Sequence, residues 1–427
     1  MFRHLNCVSA LAALCLYQAQ AYNTDDQVGK PVPYGSFNDP AAHLRPRFRY
    51  WIPDASIDLG VVADDFARVK QAGMGGLELL GYYLYGDYPS TITEGGPTPT
   101  DWTKYGWGTE AWKELFSAAL TAAKDHGMVV DFANGPNQGA GVPAKADDDG
   151  IMYDLWPYNV SVPVGGSFDD TLPGWGVGDF VSASTALVLS SEDSVFEAAP
   201  AWHGQEYNGT TQTLDVSSLQ DVTDQVDDNG HLSVSFDSNA STNGSHYLVF
   251  AFYQVHSQYR EQASPLFVNT SVAQSPVTSY VQNGSWVADH FSARGAQLII
   301  DFWENELLDD ETRQLIYDVG NYAWEDSIEI GAGALVWYTP KLLQAFQQNR
   351  GYPLNKYLPL IYSYNTEANG PLASPDHFFT NEEDGGLSYV SDYRQTVRYD
   401  IPAGPCGDDI ADCAYSSTTS TKSTSRL

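Results

Sequence analysis

The chain is 427 residues long and sets 54 Asp and Glu against 21 Lys and Arg, a formal net charge of −33. A surface this negative repels phosphate backbones and anionic lipid, which excludes nucleic acid and membrane as partners, and the like charges keep a soluble protein dispersed. Its 11 Trp and 27 Tyr offer flat apolar faces on which sugars rest, so the composition leans toward carbohydrate, although such rings also fill cores.

Residues 1–21 read as a secretory signal peptide: Arg3 and His4 precede the apolar run Val8 to Leu16, and Ala19-Gln20-Ala21 supplies a small-residue cleavage site. No later stretch reaches the ~18 continuous apolar residues of a membrane span, so the expected location is extracellular. Cys7 and Cys15 leave with the signal. Cys406 and Cys413 permit one small loop, so the fold must be held by its core rather than by a disulfide scaffold.

From residue 47 strand and helix alternate. Phe48 to Ile52 reads as a strand, Val62, Phe66 and Val69 mark one face of a helix that stops at Gly73, and Leu77 to Leu80 is a buried strand. Trp112, Phe116, Ala119, Leu120 and Ala123 mark a second helix ending at Gly127, and Met128 to Phe132 is the next strand. Short apolar strands between helices that end in Gly predict a parallel sheet, either a barrel or doubly wound. From about Asn159 to Ala288 the texture turns to Ser, Thr, Val and Gly, with alternating runs at Leu232 to Phe236 and Tyr247 to Phe252 that predict antiparallel β structure. All six Asn-X-Ser/Thr acceptors, Asn159, Asn208, Asn239, Asn243, Asn269 and Asn283, fall in this stretch and set it apart as an inserted, glycosylated domain.

The α/β rhythm then resumes. Ala296 to Phe302 reads as a strand, Leu308, Leu315, Ile316 and Val319 as a helix, Trp324 to Ile328 as a strand, and Leu342 and Phe346 as a helix ending at Gly351. After Pro371 the apolar periodicity fades, and from Ser416 a Ser/Thr tail lacks the content to fold. The expected division is 1–21 signal peptide, 22–158 first part of an α/β barrel, 159–288 β-rich insertion, 289–370 continuation of the barrel and 371–427 irregular. The fold class is thus α/β, a partial (β/α)8 barrel of the TIM type with an inserted antiparallel β-rich domain. A closed barrel takes about 250 residues, and these α/β segments supply about half of that.

In such a barrel chemistry sits at the C-terminal ends of the strands. Three places qualify. Trp51 and Asp54 follow the first strand. The Gly- and Pro-rich loop after the third presents Asn134, Asn137 and Gln138, which could bind hydroxyl groups or simply form a turn. The run from Trp324 to Glu329 places Glu325, Asp326 and Glu329 beside an indole. Hydrolysis of a glycosidic bond needs one carboxyl kept protonated, a second group to work on water or the sugar, and an apolar face for the ring. In an extended strand Glu325 and Glu329 share one face, while Trp324 and Asp326 share the other. Glu329, nearest the C-terminal end, is the candidate general acid and Glu325 the reserve, with Trp324 and Asp326 as substrate-binding residues. Glu78 and Asp131 are charges inside apolar strands, which either line the sugar pocket or pair with Arg45, Arg47 or Arg49. There is no His-Glu-X-X-His, Gly-X-Ser-X-Gly or phosphate-loop motif, and Asp147-Asp148-Asp149 lacks the pattern of an EF-hand loop.

Arg45-Pro-Arg-Phe-Arg-Tyr-Trp-Ile-Pro-Asp54, Gly75 to Leu80, His126 to Phe132 with Gly135 to Gly139, Trp324 to Glu329, Arg350 to Leu354 and Tyr357 to Leu360 follow one another in an order that resembles the α-L-rhamnosidases of glycoside hydrolase family 106, over most of residues 35–365. The resemblance implies a catalytic (β/α)8 barrel, inverting removal of terminal α-L-rhamnose from plant cell-wall polysaccharide and a calcium requirement, with no calcium ligands carried over. The family's general acid lies in an Asp-Ser-X-Glu stretch, which falls on Asp326-Ser-Ile-Glu329, and the base would lie further along. Family members are much longer, so the expectation is a chain truncated after the first half of the barrel, its activity in question. The alternative is a non-catalytic secreted carbohydrate-binding protein or a half-barrel remnant.

Overall fold

The computed structural model describes residues 34–81, 102–136, 139–145, 147–197, 206–238, 245–256, 285–325, 337–362, 377–399 and 401. Among the described residues a 3-10 turn at Ala42–Leu44 leads into strand β1 (Arg47–Ile52), helix α1 (Leu59–Gln71) and strand β2 (Gly76–Gly81). Asp58 starts α1 by accepting the Gly60 N–H at 2.7 Å, and Gly73 turns the chain out of it at φ +85°, a conformation that costs glycine nothing. The single turn α2 (Trp102–Tyr105) leads to α3 (Glu110–Asp125), capped by Thr109, and to β3 (Val129–Ala133). All three strands run parallel, with Leu77 beside Val130 and Glu78 beside Asp131. Gly76 is required at this contact, since a Cβ there would lie 2.1 Å from the Val129 carbonyl oxygen.

One face of this sheet carries Ile52, Leu77, Leu79, Val130 and Phe132 onto Val62 and Phe66 of α1 and Leu115, Phe116, Ala119 and Leu120 of α3, all buried. Burial of each large apolar side chain stabilises the fold by about 1.5–3 kcal/mol. The opposite face is polar: Arg47 pairs with Asp131 at 2.9 Å and Arg49 with Glu78 at 3.2 Å. Of the two roles open to Glu78 and Asp131 in the sequence, pairing with arginine is therefore realised.

After β3 come β4 (Gly141–Pro143) and the β-rich segment: β5 (Tyr153–Pro163), β6 (Ser167–Thr171), β7 (Asp179–Glu197), β8 (Glu206–Leu214), β9 (Gln220–Asp221), β10 (His231–Ser235) and β11 (His246–His256). Strand β11 lies between β5 and β7 and is buried on both faces, which explains its unbroken apolar run. Tyr247, Val249, Ala251 and Tyr253 face the two-stranded sheet of β6 and β10, while Leu248, Phe250 and Phe252 face the opposite way. The antiparallel expectation for 159–288 holds in the described part. Asn159 and Asn208 are exposed; the other four sequon asparagines lie outside the described residues.

Strand β12 (Ser285–Val287) pairs with β4 and returns the chain to the parallel sheet through α4 (Ala293–Phe302), a π turn at Trp303–Leu307, α5 (Asp310–Val319) and β13 (Gly320–Trp324). Three expectations change here. Ala296 to Phe302 is helix, not strand: Ser292 caps it by accepting the Gly295 N–H at 3.0 Å, and Gly295, Leu298 and Phe302 form its buried stripe. The following helix begins at Asp310, where Asp309 caps it, so Leu308 falls before it. A strand precedes the expected one and ends at Trp324, because Gly320 and Tyr322 to Trp324 pair with Val130 to Ala133 of β3, while Asp326 to Ile328 of the expected strand lie outside the described residues.

The sheet order is β1-β2-β3-β13. The architecture is mixed α/β with a four-stranded parallel sheet, and the described residues contain no closed barrel. The remainder, β14 (Trp337–Tyr338), α6 (Leu342–Arg350), α7 (Leu358–Tyr362), β15 (His377–Asn381) and α8 (Leu387–Tyr399), does not continue the barrel. Strands β14 and β15 join the β-rich sheet, and Leu342, Phe346, Leu358, Ile361, Val390 and Tyr393 cover the Leu248–Phe250–Phe252 face. The boundaries expected at 289–370 and 371–427 shift accordingly: the covering face is apolar, so these helices pack there, and part of the segment read as irregular is ordered. Cys406 and Cys413 lie outside the described residues. Among the described residues no helix is long and apolar enough to cross a membrane.

Phe66 is fully buried and meets the Tyr50 ring edge-on at 6.4 Å. Phe66→Ala is expected to lower unfolding stability by about 3–5 kcal/mol, measured by urea titration.

Candidate active site

Ligand sites in open α/β sheets form beyond the carboxyl ends of the strands, where neighbouring connections part. Here the ends of β3 and β13 meet the segment that follows β12. Asn134, one residue past β3, donates its N–H to the Trp324 carbonyl at 2.9 Å, and its own carbonyl accepts the Trp303 indole N–H at 2.8 Å. Trp303 is wedged among Trp107, Phe116 and Phe132. The loop then doubles back so tightly that a Cβ on Gly135 would lie 2.4 Å from the Gly141 carbonyl oxygen. Gly139, at φ +95°, brings the loop's backbone against Trp324 and Glu325.

Glu325 meets His290 across this edge, Oε2 to Nε2 at 2.9 Å, and each side chain is about one-seventh exposed, at 15%. Burial works against a charged imidazole, but the hydrogen bond and charge of Glu325, with Asp289 and the Ala288 carbonyl nearby, outweigh it and raise the pKa of His290 above its ordinary value. The raised pKa favours the protonated ring, in which Nε2–H donates to Glu325 Oε2. His290 Nδ1 and the indole nitrogen of Trp324 are enclosed with no hydrogen-bond partner of good geometry.

Asp289 fixes His290 in place. It is 1% exposed, its Oδ1 accepts the Phe291 N–H at 2.9 Å and its Oδ2 accepts the Thr339 hydroxyl at 2.9 Å. Burial pushes its carboxyl pKa up, against the pull of the Phe291 N–H, the Thr339 and Ser292 hydroxyls and the charge of His290. Its own N–H donates to Gly150 at 2.8 Å. A partly open carboxylate with a proton held beside it can exchange that proton with a bound hydroxyl or steady a positive charge forming on a ligand.

The residues singled out in the sequence fall in several places. Glu325, Trp324 and Asn134 come together at this edge. Trp51 is 43% exposed with the Arg49 guanidinium 5.2 Å over its ring, on the polar face of the sheet. Asp54 is buried and accepts the Ser56 N–H at 2.7 Å, the work of a turn-forming aspartate. Glu78 and Asp131 lie in the arginine ladder, where Asp131 also accepts from Asn321 at 2.7 Å. Glu329, Asp326, Asn137 and Gln138 lie outside the described residues. Asp289, His290 and Thr339 were missed. The available signal was the charged pair Asp289-His290 directly after the apolar run Trp286-Val287-Ala288, at the seam of the insertion. Among the described residues no three His, Cys, Asp or Glu side chains gather to hold a metal ion.

No family model matches the chain, and no curated protein matches it. Among solved structures, a rhamnosidase from Novosphingobium sp. PP1Y is similar over 91% of this chain and 46% of its own length, with a TM-score of 0.47 and 13% identity. The chain thus spans about half the length of that enzyme.

The raised pKa of His290 has a definite sign in stability. Its contribution is complete below the ordinary imidazole value of about 6.5 and is lost as pH rises through the folded-state value. The stability gap between the wild type and His290→Gln, measured by urea unfolding, is expected to narrow as pH rises through that window. A gap that does not vary with pH would mean that no imidazolium forms.

Proposed function

We propose that this chain is a secreted glycoside hydrolase of the α-L-rhamnosidase type, acting on plant cell-wall polysaccharide by an inverting acid and base mechanism. The observation that carries this reading is the Glu325–His290 pair at the carboxyl edge of β3 and β13. The motif order along residues 35–365 gives the sugar its identity.

Glu329, four residues beyond Glu325, is the general acid that protonates the glycosidic oxygen. Glu325, already accepting from His290, is poorly suited to donate. Its negative charge instead steadies the oxocarbenium character that develops on the ring, and His290 keeps the carboxylate turned toward the edge. Inversion needs a base about 6.5–9.5 Å from the acid to activate water, and no described residue is assigned that task. The calcium implied by the family resemblance has no ligand set among the described residues. The signal-like residues 1–21 support a secretory route, and the exposure of Asn159 and Asn208 suits glycosylation on it.

The full chain is expected to release rhamnose from an aryl α-L-rhamnoside and from a rhamnose-bearing plant cell-wall polysaccharide. Glu329→Gln should lower kcat by about 10²–10⁴-fold, the usual contribution of a general acid, and Glu325→Gln should also lower kcat more than it changes KM. Rhamnose release unchanged in Glu329→Gln would remove that residue from the mechanism. Polysaccharide binding by a wild type that releases nothing would favour the non-catalytic carbohydrate binder.

A further inference from the structure

Three of the described indoles are buried in the core, Trp107, Trp112 and Trp286, at 1%, 2% and 3% exposed. Trp156 and Trp175 are different, at 40% and 37% exposed, and both border the same buried ring, Tyr253. Trp156 stands directly across from Tyr253 in the pairing of β5 with β11, and Phe180 stands across from it on β7. Trp175 covers the other side of this row, 6.3 Å from Tyr253 and 5.6 Å from Phe180 between ring centres.

Each exposed ring is held rigidly. Trp175 rests on Gly230, where a Cβ would come within 2.1 Å of the indole, so only a glycine at that position lets the ring lie flat. The turn that carries it is tied down by the Tyr253 hydroxyl, which donates to the Pro173 carbonyl at 3.0 Å, and by Gly174 seated against the Tyr158 ring. Asp154, two residues earlier on the same face of β5, lies within reach of the Trp156 indole. Asp154 is 1% exposed and its Oδ1 has no partner. Burial pushes its carboxyl up to about 7, the Trp156 hydrogen bond pulling it back.

We propose that Trp156 and Trp175 form a glycan-binding platform on the β-rich segment, separate from the Glu325–His290 edge, which takes a neutral polysaccharide by stacking on the apolar faces of its sugar rings. Indole rings that are both exposed and immobilised lose little entropy on binding, and the apolar face of a pyranose matches their flat surface. The net charge of −33 disfavours an acidic polymer. By contrast, the exposed Trp51 on the parallel sheet has its ring under the Arg49 guanidinium. The proposal does not rest on the hydrolase reading.

The test is affinity electrophoresis of the full chain in gels containing galactan, xyloglucan or polygalacturonate. The wild type is expected to be retarded by at least one neutral polymer and not by polygalacturonate. Trp156→Ala and Trp175→Ala should each weaken that retardation by about tenfold, while urea unfolding and rhamnose release from a small aryl rhamnoside stay unchanged. If either variant fails to fold, oligosaccharides of the retarding polymer should still protect indole fluorescence of the wild type from acrylamide quenching. No retardation of the wild type, equal retardation of the folded variants, or no protection would each overturn the platform.

Discussion

Asp289 is the tie on which the arrangement depends. Its carboxylate is almost wholly enclosed and finds its partners in the Phe291 N–H, at the approach to α4, and in the Thr339 hydroxyl, beside β14 of the β-rich sheet. One buried group therefore ties the approach to α4 to the segment beside β14, and its immediate neighbour in sequence is His290. Removing a partner from such a group strands a desolvated acceptor, at about 1–3 kcal/mol or more where charge is involved. The position of His290 against Glu325 thus rests on a structural carboxylate that need not meet substrate.

A second constraint acts across the polar face of the parallel sheet. Charges inside apolar strands are tolerable only when paired, and the pairing here also sets register. Asn321 is an extra residue in β13, since Gly320 stands beside Val130 and Tyr322 beside Asp131. The bulge sends the Asn321 amide to Asp131 Oδ1, while Arg47 lies against Oδ2 from the other side. Asp131 is in this way gripped by the first and last strands of the sheet. Trp324, and with it Glu325, leaves β13 three residues after that anchor.

Much of the α/β beginning was legible in the sequence because its signals were local: Gly73 and Gly127 end helices at positive φ, and the stripes Val62–Phe66 and Trp112–Phe116–Leu120 repeat at helical spacing. Ala296 to Phe302 misled because Leu298, Ile299, Ile300 and Phe302 make an apolar run that suits a buried strand as well as a helix, and the deciding feature was the Ser292 cap four residues upstream. Strand β13 was placed late because Gly320-Asn321-Tyr322 has little strand character of its own and is recruited by pairing with β3. In α8 the buried stripe Val390–Tyr393–Val397 is narrow and set among charged and hydroxyl side chains. The site was half legible. Glu325 stood out as a carboxylate beside an indole, but its partner lies 35 residues away and was brought to it only by the fold.

The clasp between β4 and β12 brings the two ends of the inserted segment side by side, and the parallel sheet closes over it only when β13 reaches β3, a contact that joins residues 190 apart. Later still, β15 must find β8, with Thr380 and Thr213 separated by 167. On a ribosome that releases the chain from its first residue onward, β3 waits with one edge unpaired while the whole insertion is made. Contacts of such long sequence separation slow folding and leave strand edges open to wrong partners in the meantime. The same topology that lets a small parallel sheet carry a large insertion therefore makes its assembly slow.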